Sequence, residues 1–282
     1  MPHTYTNDIV TFYEDAGEGP VVVLIHGHSV DLRMWRQQTP GLLQAGYRVV
    51  CYDVRGHGRS MVAPGGYTWQ SYAADLRDLL DRLNVERPPQ ADLSVGAVHL
   101  VGLSMGGGIA LQFALDCPER VLSLTLVDSA LPGFTYGEEI SGRIQELVQA
   151  VRAEGVQAAF ERLWLTHPMF DGVRRRPESF ALLREMVSGF QAPEYREDVS
   201  TAGYEQPAIA ERLGEIAAPA LVVAGENDVQ DFRLIAEILA ANLKNARLAV
   251  MPGCHHLPPL EDPEAFNDLL LRFLRSASGR GV

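Results

Sequence analysis

The chain predicts an α/β fold, a doubly wound and mostly parallel sheet split by an inserted helical cap. Three observations point there. Short β-branched runs alternate with stretches of helical period. That alternation lapses after Asp128 and resumes only at Ala220. Polar residues suited to chemistry follow directly on the carboxyl ends of several strands, where such sheets build their sites.

Taken in order, Ile9 to Tyr13 reads as a first strand, ending in the turn-rich Asp15 to Pro20. Val21 to Ile25 is a continuous apolar run, as expected of a strand covered on both faces. A single amphipathic helix is expected from Leu32 to Ala45, then a strand from Tyr47 to Asp53. Ala73, Leu76, Leu79, Leu80 and Leu83 recur at helical spacing within a helix from Thr68 to Leu83. Strand 97–103, helix 105–116 and strand 121–127 follow, with Cys117-Pro118 stopping the helix. From Pro132 to about Leu213 the pattern is helical throughout. Strand 220–224, helix 231–242, strand 246–251 and a helix from Pro263 to Leu274 complete the chain, and the tail from Ser276 is expected to fray. The expected organisation is core 1–131, helical insertion 132–213 and core 214–282.

Composition narrows the function. At 282 residues and 46% hydrophobic content the chain can bury a substantial core. A net charge of -12 leaves no surplus of cations for phosphates, which argues against nucleic acid or an anionic membrane as partner. No apolar run reaches membrane-spanning length, and Met1 to Asp8 lacks the basic start and apolar segment of a signal peptide. Cys51, Cys117 and Cys254 are odd in number and widely spaced, so a reducing cytoplasm is the expected compartment.

Ser104 sits in Gly102-Leu103-Ser104-Met105-Gly106, between an apolar strand and an opening helix. A turn that sharp strains the serine backbone, exposes its hydroxyl and demands bare neighbours on either side. A serine hydroxyl needs a base, and the base needs an orienting acid. Asp228 follows strand 220–224 and His256 follows strand 246–251, giving the chain order serine, acid, histidine. Asp128 is the rival acid and His255 the rival base. The spacing to the histidine favours Asp228, and Asp128 is expected to tie down the loop entering the insertion. An oxyanion needs two backbone donors. The candidates are the N–H of Met105, which opens the helix, and that of His28 in His26-Gly27-His28-Ser29. His26 is expected to be structural, and Arg55-Gly56-His57-Gly58-Arg59-Ser60 reads as a structural turn because its spacing fits no phosphate loop. Cys254-His255 lacks the second cluster that a metal site requires, so no metal is expected.

The stretches Val23 to His28, Asp31 to Trp35, Tyr52 to Ser60, Gly102 to Gly108 and His256 to Pro263 together resemble α/β-hydrolases of the carboxylesterase, enol-lactonase and cofactor-free haloperoxidase group. The resemblance implies a helical cap at 132–213 and acyl transfer through a serine ester, with no metal or organic cofactor. His255 stands where the group often has glycine. His28 stands where it commonly has an apolar residue, which argues against a purely apolar acyl pocket. A serine nucleophile, rather than aspartate, argues against dehalogenase and epoxide hydrolase chemistry. The expected partner is a small-molecule ester of short to medium acyl chain, with a lactone or enol-lactone as the nearest alternative. A slow ligand receptor of the same fold is the alternative of another class. Trp164, Phe170 and Phe134 are the candidate substrate contacts, among insertion residues suited to an apolar pocket that also include Tyr136, Met169, Phe190 and Tyr204. The sequence does not define the oligomeric state.

Overall fold

The structure, a computed structural model, describes residues 2–85, 96–195 and 209–277. Eight strands form one sheet in the order β1-β2-β4-β3-β5-β6-β7-β8. They are β1 His3–Thr6, β2 Ile9–Ala16, β3 Val21–Ile25, β4 Arg48–Tyr52, β5 Val98–Leu103, β6 Val121–Val127, β7 Ala220–Gly225 and β8 Ala246–Met251. The first two pair antiparallel, as do β2 and β4, and every other neighbour is parallel. All five residues of β3 and all six of β5 and β7 are buried, which is why β3 and β7 read as unbroken apolar runs and β5 departs from one only at His99, whose ring bonds Ser123.

The principal helices are α1 Thr39–Gln44, α2 Trp69–Val85, α3 Met105–Asp116, α4 Glu138–Glu154, α5 Pro177–Gly189, α6 Gln230–Asn242 and α7 Pro263–Ala277. The second packs on α3 and β1, and α3 lies over β3, β5 and β6. Between β6 and β7 the described residues form helices and no strand. No described helix is long and apolar enough to cross a membrane.

Two expectations are corrected. The single helix over 32–45 is instead a 3₁₀ turn, Leu32–Trp35, followed by α1. Pro40 has no N–H to donate, and its ring would collide with the carbonyl one turn back, so the helix must restart there. The first strand extends to Ala16 and is preceded by β1. That strand is only four residues long and largely polar, with burial that merely alternates. The expected fray of the tail falls mainly on 278–282, outside the described residues.

Buried charges pin the loops at the amino-terminal half of the sheet. Asp53 accepts from Leu32 N–H at 2.9 Å and Arg59 N–H at 2.8 Å. Gly58, with φ +52°, leaves room for that carboxylate, since a Cβ there would sit 2.3 Å from Asp53 Oδ2. Arg55 and Asp75, 1% and 3% exposed, form a two-pronged pair of 2.9 and 2.7 Å, and the exposed Asp8 adds a further bond to Arg55. Removing one member of a buried pair leaves the other uncompensated, at a cost of about 3–5 kcal/mol. Asp75→Ala is therefore expected to lower unfolding stability toward the lower end of that range, because Asp8 remains. Urea titration checks it: the midpoint should fall with an unchanged slope.

Candidate active site

The β5–α3 turn places Ser104 in a left-handed backbone, φ +50° and ψ −114°. Such a conformation costs a non-glycine residue on the order of 1–3 kcal/mol and persists only when its surroundings hold it. Here Ser104 N–H donates to Val127 O at 2.9 Å, while Ser104 O accepts from Gly107, Gly108 and Ala130 N–H. The turn closes because Gly102 and Gly106 are bare. A Cβ on Gly102 would lie 2.3 Å from Gly106 O, and one on Gly106 would lie 2.2 Å from Ile25 O. Strand β3 thus runs hard against α3, bringing the Gly27-His28 loop beside Ser104. The first turn of α3 has no preceding helical carbonyls, so the Met105 N–H is free to face an anion.

Asp228 lies in the turn after β7, 3% exposed, and its Oδ1 accepts from Val229 N–H at 2.8 Å. Its Oδ2 lies 2.7 Å from His256 Nδ1. Burial is the main influence on the His256 ring and lowers its proton affinity. A neutral ring donating from Nδ1 to Asp228 keeps its lone pair on Nε2. His256 and Ser104 line the same cavity.

The rival residues are directed elsewhere. His255 donates its backbone N–H to Glu261 Oε2 at 2.8 Å, and its ring Nδ1 stands 3.6 Å away, beyond hydrogen-bond distance. Leu257 N–H donates to the other Glu261 oxygen at 2.8 Å. One buried carboxylate therefore grips the chain on both sides of His256. Sequence reading assigned Glu261 no such role; its proximity to the histidine, five residues on, was the available signal. Asp128, fully buried with φ +38°, does not tie down the loop entering the insertion as expected. Its Oδ1 accepts from Gly225 N–H at 2.9 Å, at the end of β7. Burial and the neighbouring Asp228 charge push its carboxyl well above the ordinary range, and burial also pushes Asp228 up, to about 8.

Ligand atoms of Asp128, Asp228 and His256 lie within 4.8 Å of one another, the arrangement among the described residues closest to a metal-binding group. Asp228 Oδ2 and His256 Nδ1 are already bonded to each other, and Asp128 Oδ1 accepts from Gly225 N–H, so the set is engaged in hydrogen bonds of its own.

The cavity, about 280 Å³, takes Trp164, Phe170, Met169 and Tyr136 into its wall, together with the His28 side chain. Phe134 is not on the wall; it packs edge-on against Tyr136 at 5.3 Å. Trp164 Nε1 donates to Ser29 Oγ at 2.8 Å. Tyr204 lies outside the described residues. His26 is structural: its Nδ1 donates to Gly27 O at 2.7 Å and its Nε2 accepts from Val54 N–H at 2.9 Å.

A family model described as the alpha/beta hydrolase fold matches residues 20–263. The chain belongs to that family. It is 31% identical to a 2-hydroxy-6-oxononadienedioate/2-hydroxy-6-oxononatrienedioate hydrolase of Comamonas testosteroni, over 92% of this chain and 89% of that one. A thermophilic esterase from Thermogutta terrifontis superposes with a TM-score of 0.79 at 30% identity, covering 95% and 94% of the two chains. A solved enzyme described as degrading N-acyl homoserine lactone superposes with a TM-score of 0.77 at 32% identity, covering 96% and 100%.

The raised Asp128 carboxyl sets a pH dependence of stability. Above the ordinary carboxylate value of 3.8 the unfolded chain releases this proton while the folded chain keeps it. The unfolded state then binds fewer protons, so this group makes stability fall as pH rises toward its folded value. Asp128→Asn, neutral in both states and still able to accept from Gly225 N–H, is expected to flatten that slope. Urea unfolding across the acidic-to-neutral range measures it, and equal slopes in the two proteins would contradict a protonated Asp128.

Proposed function

We propose that this chain is a serine hydrolase cleaving carboxylic esters of short to medium acyl chain through an acyl-enzyme. The observation that carries the reading is the 2.7 Å bond from Asp228 to His256, with His256 and Ser104 on one cavity. In this reading His256 Nε2 takes the Ser104 proton as the hydroxyl oxygen attacks the carbonyl carbon. Asp228 fixes the imidazole tautomer and stabilises the imidazolium. The His28 and Met105 N–H groups receive the oxyanion. His256 then protonates the leaving alcohol, and a water activated by the same ring releases the acid. Beyond the substrate and one water, these steps draw on the chain's own groups.

Residues 132–213 act as the cap over the core formed by 1–131 and 214–282. Support comes from Ile140, Ile144, Trp164 and Phe170, which belong to the insertion and share the cavity wall with Ser104. Such a cover keeps bulk water from the serine ester and bounds the acyl group. A lactone is a cyclic ester opened by the same steps, and the similarity to a lactone-degrading enzyme favours testing it alongside. The buried, free cysteines Cys51, Cys117 and Cys254 fit a reducing cytoplasm.

Ser104→Ala is expected to lower kcat by on the order of 10⁶ while leaving the fold intact. An organophosphonate should label Ser104 alone, read by mass spectrometry; labelling elsewhere, or an active variant, would remove Ser104 from its role. A pre-steady-state burst with p-nitrophenyl esters separates a hydrolase from a slow receptor.

Asp228→Asn is expected to cost about 10⁴ in rate by imposing the wrong tautomer on His256. Asp128→Asn should cost far less. The reverse ranking of the two variants would move the acid to the end of β6.

A further inference from the structure

The cavity wall is apolar over most of its area, formed by Val30, Ile140, Ile144, Met169, Phe170 and Leu257 among others. Its polar groups are few. Ser104 and His256 are spoken for by the reaction. Tyr67 OH donates to Ala63 O at 2.8 Å, and the Trp164 N–H donates to Ser29. The wall also carries a cluster that catalysis does not use: Glu194 Oε1 lies 2.6 Å from His28 Nε2, and Tyr195 OH lies 3.3 Å from the same nitrogen. Glu194 Oε2 is buried and has no hydrogen-bond partner among the described residues. A carboxylate only accepts, so a covered oxygen without a donor is an unmet demand at the wall of a binding cavity.

The cluster is held from below by the Arg55 to Ser60 turn. Gly56, with φ +78°, has no Cβ; one there would meet Tyr67 at 2.6 Å and Pro193 Cγ at 2.9 Å. That gap seats Pro193, the residue before Glu194. His57 stacks on Phe190 at 4.6 Å and meets His28 edge-on at 5.9 Å. The glycine-rich turn, which fits no phosphate loop, thus fixes both ends of the His28–Glu194 pair. His28 also carries one of the proposed oxyanion donors, so Glu194 lies one side chain away from the reacting carbonyl. Rotation about the Glu194 Cγ–Cδ bond is soft and turns an oxygen toward the cavity.

We propose that Glu194, held by His28, selects the substrate, and that the preferred ester or lactone carries a neutral hydrogen-bond donor, a hydroxyl or an amide N–H, within a few bonds of its carbonyl. An ammonium group fits less well, because the surrounding apolar wall would strip its water without replacing it. The proposal rests on the hydrolase reading above and adds a specificity-determining residue to it.

Matched substrates test it: p-nitrophenyl butyrate against 3-hydroxybutyrate, p-nitrophenyl pentanoate against N-acetylglycinate, and propyl against 2-hydroxyethyl butyrate. The wild-type enzyme is expected to favour the donor-bearing member of at least one pair by about 10- to 100-fold in kcat/KM, the scale of a hydrogen bond to a charged group. The ratio should fall to near unity in Glu194→Ala and by less in Glu194→Gln, which keeps an acceptor. Calorimetric Kd values for the same esters on the Ser104→Ala variant give the ratio without turnover and without disturbing Glu194. Ratios near unity in every pair, or a preference that survives Glu194→Ala, overturn the proposal while leaving the hydrolase reading intact. Failure to turn over any ester or lactone overturns the hydrolase reading instead, and the calorimetric ratio then decides the selection alone.

Discussion

The close approach of α3 to strand β3 is the constraint on which the rest of the site depends. With Gly106 bare, the helix can press on the carbonyl of Ile25 at a distance where a Cβ would sit 2.2 Å away. That contact makes the β5–α3 turn tight, and tightness forces Ser104 to φ +50°. The same contact places the Gly27-His28 loop beside Ser104, so that a Cβ on Gly27 would lie 3.4 Å from Ser104 Cβ. Strand β6 then locks the arrangement from the other side, through the bonds of Val127 and Ala130 to the Ser104 backbone. The local strain is affordable because four backbone hydrogen bonds and the packed sheet hold it in place.

Around that turn the protein uses buried carboxylates as anchors for backbone amides. Asp53 holds the loops after β3 and β4, Glu261 holds the chain on both sides of His256, and Asp128 holds the end of β7. Each lies where loops leave the sheet and amides have lost their ladder partners. Asp53 and Glu261 each satisfy two such donors at once, and an ionised acceptor makes stronger bonds than a neutral one. The histidines divide by the same logic. His26 and His57 are buried with proton affinity lowered by desolvation, and act as neutral struts. His256 is bonded to Asp228 and His28 to Glu194, and both histidines line the cavity.

Much of this was legible in the chain because the signals are local. A strand buried on both faces must be a continuous apolar run, as Val21 to Ile25 is. A strained turn must have bare neighbours, as Gly102 and Gly106 are. The serine, acid and histidine each follow a separate strand, and parallel strands bring their carboxyl ends to one edge, so Ser104, Asp228 and His256 converge although they are far apart in sequence. Strand β1 escaped because four polar residues carry almost no pattern, and Pro40 was passed over because the apolar spacing runs on across it.

The sequence by itself determined the parallel sheet, the strained serine turn and the order of the three polar residues, since each depends on periodicity or on backbone sterics within a few positions. Tertiary structure alone decided which partner each polar side chain meets. Asp128 reached Gly225 rather than the loop ahead of it, and Glu261 rather than a neighbouring glycine shaped the His256 loop. Phe134 turned to Tyr136 while Trp164 reached the cavity, and Glu194 crossed 166 positions of sequence to meet His28. Hydrogen bonds and side-chain packing act over a few ångströms of space, and a one-dimensional pattern does not encode the distances between loops that the folded sheet brings together.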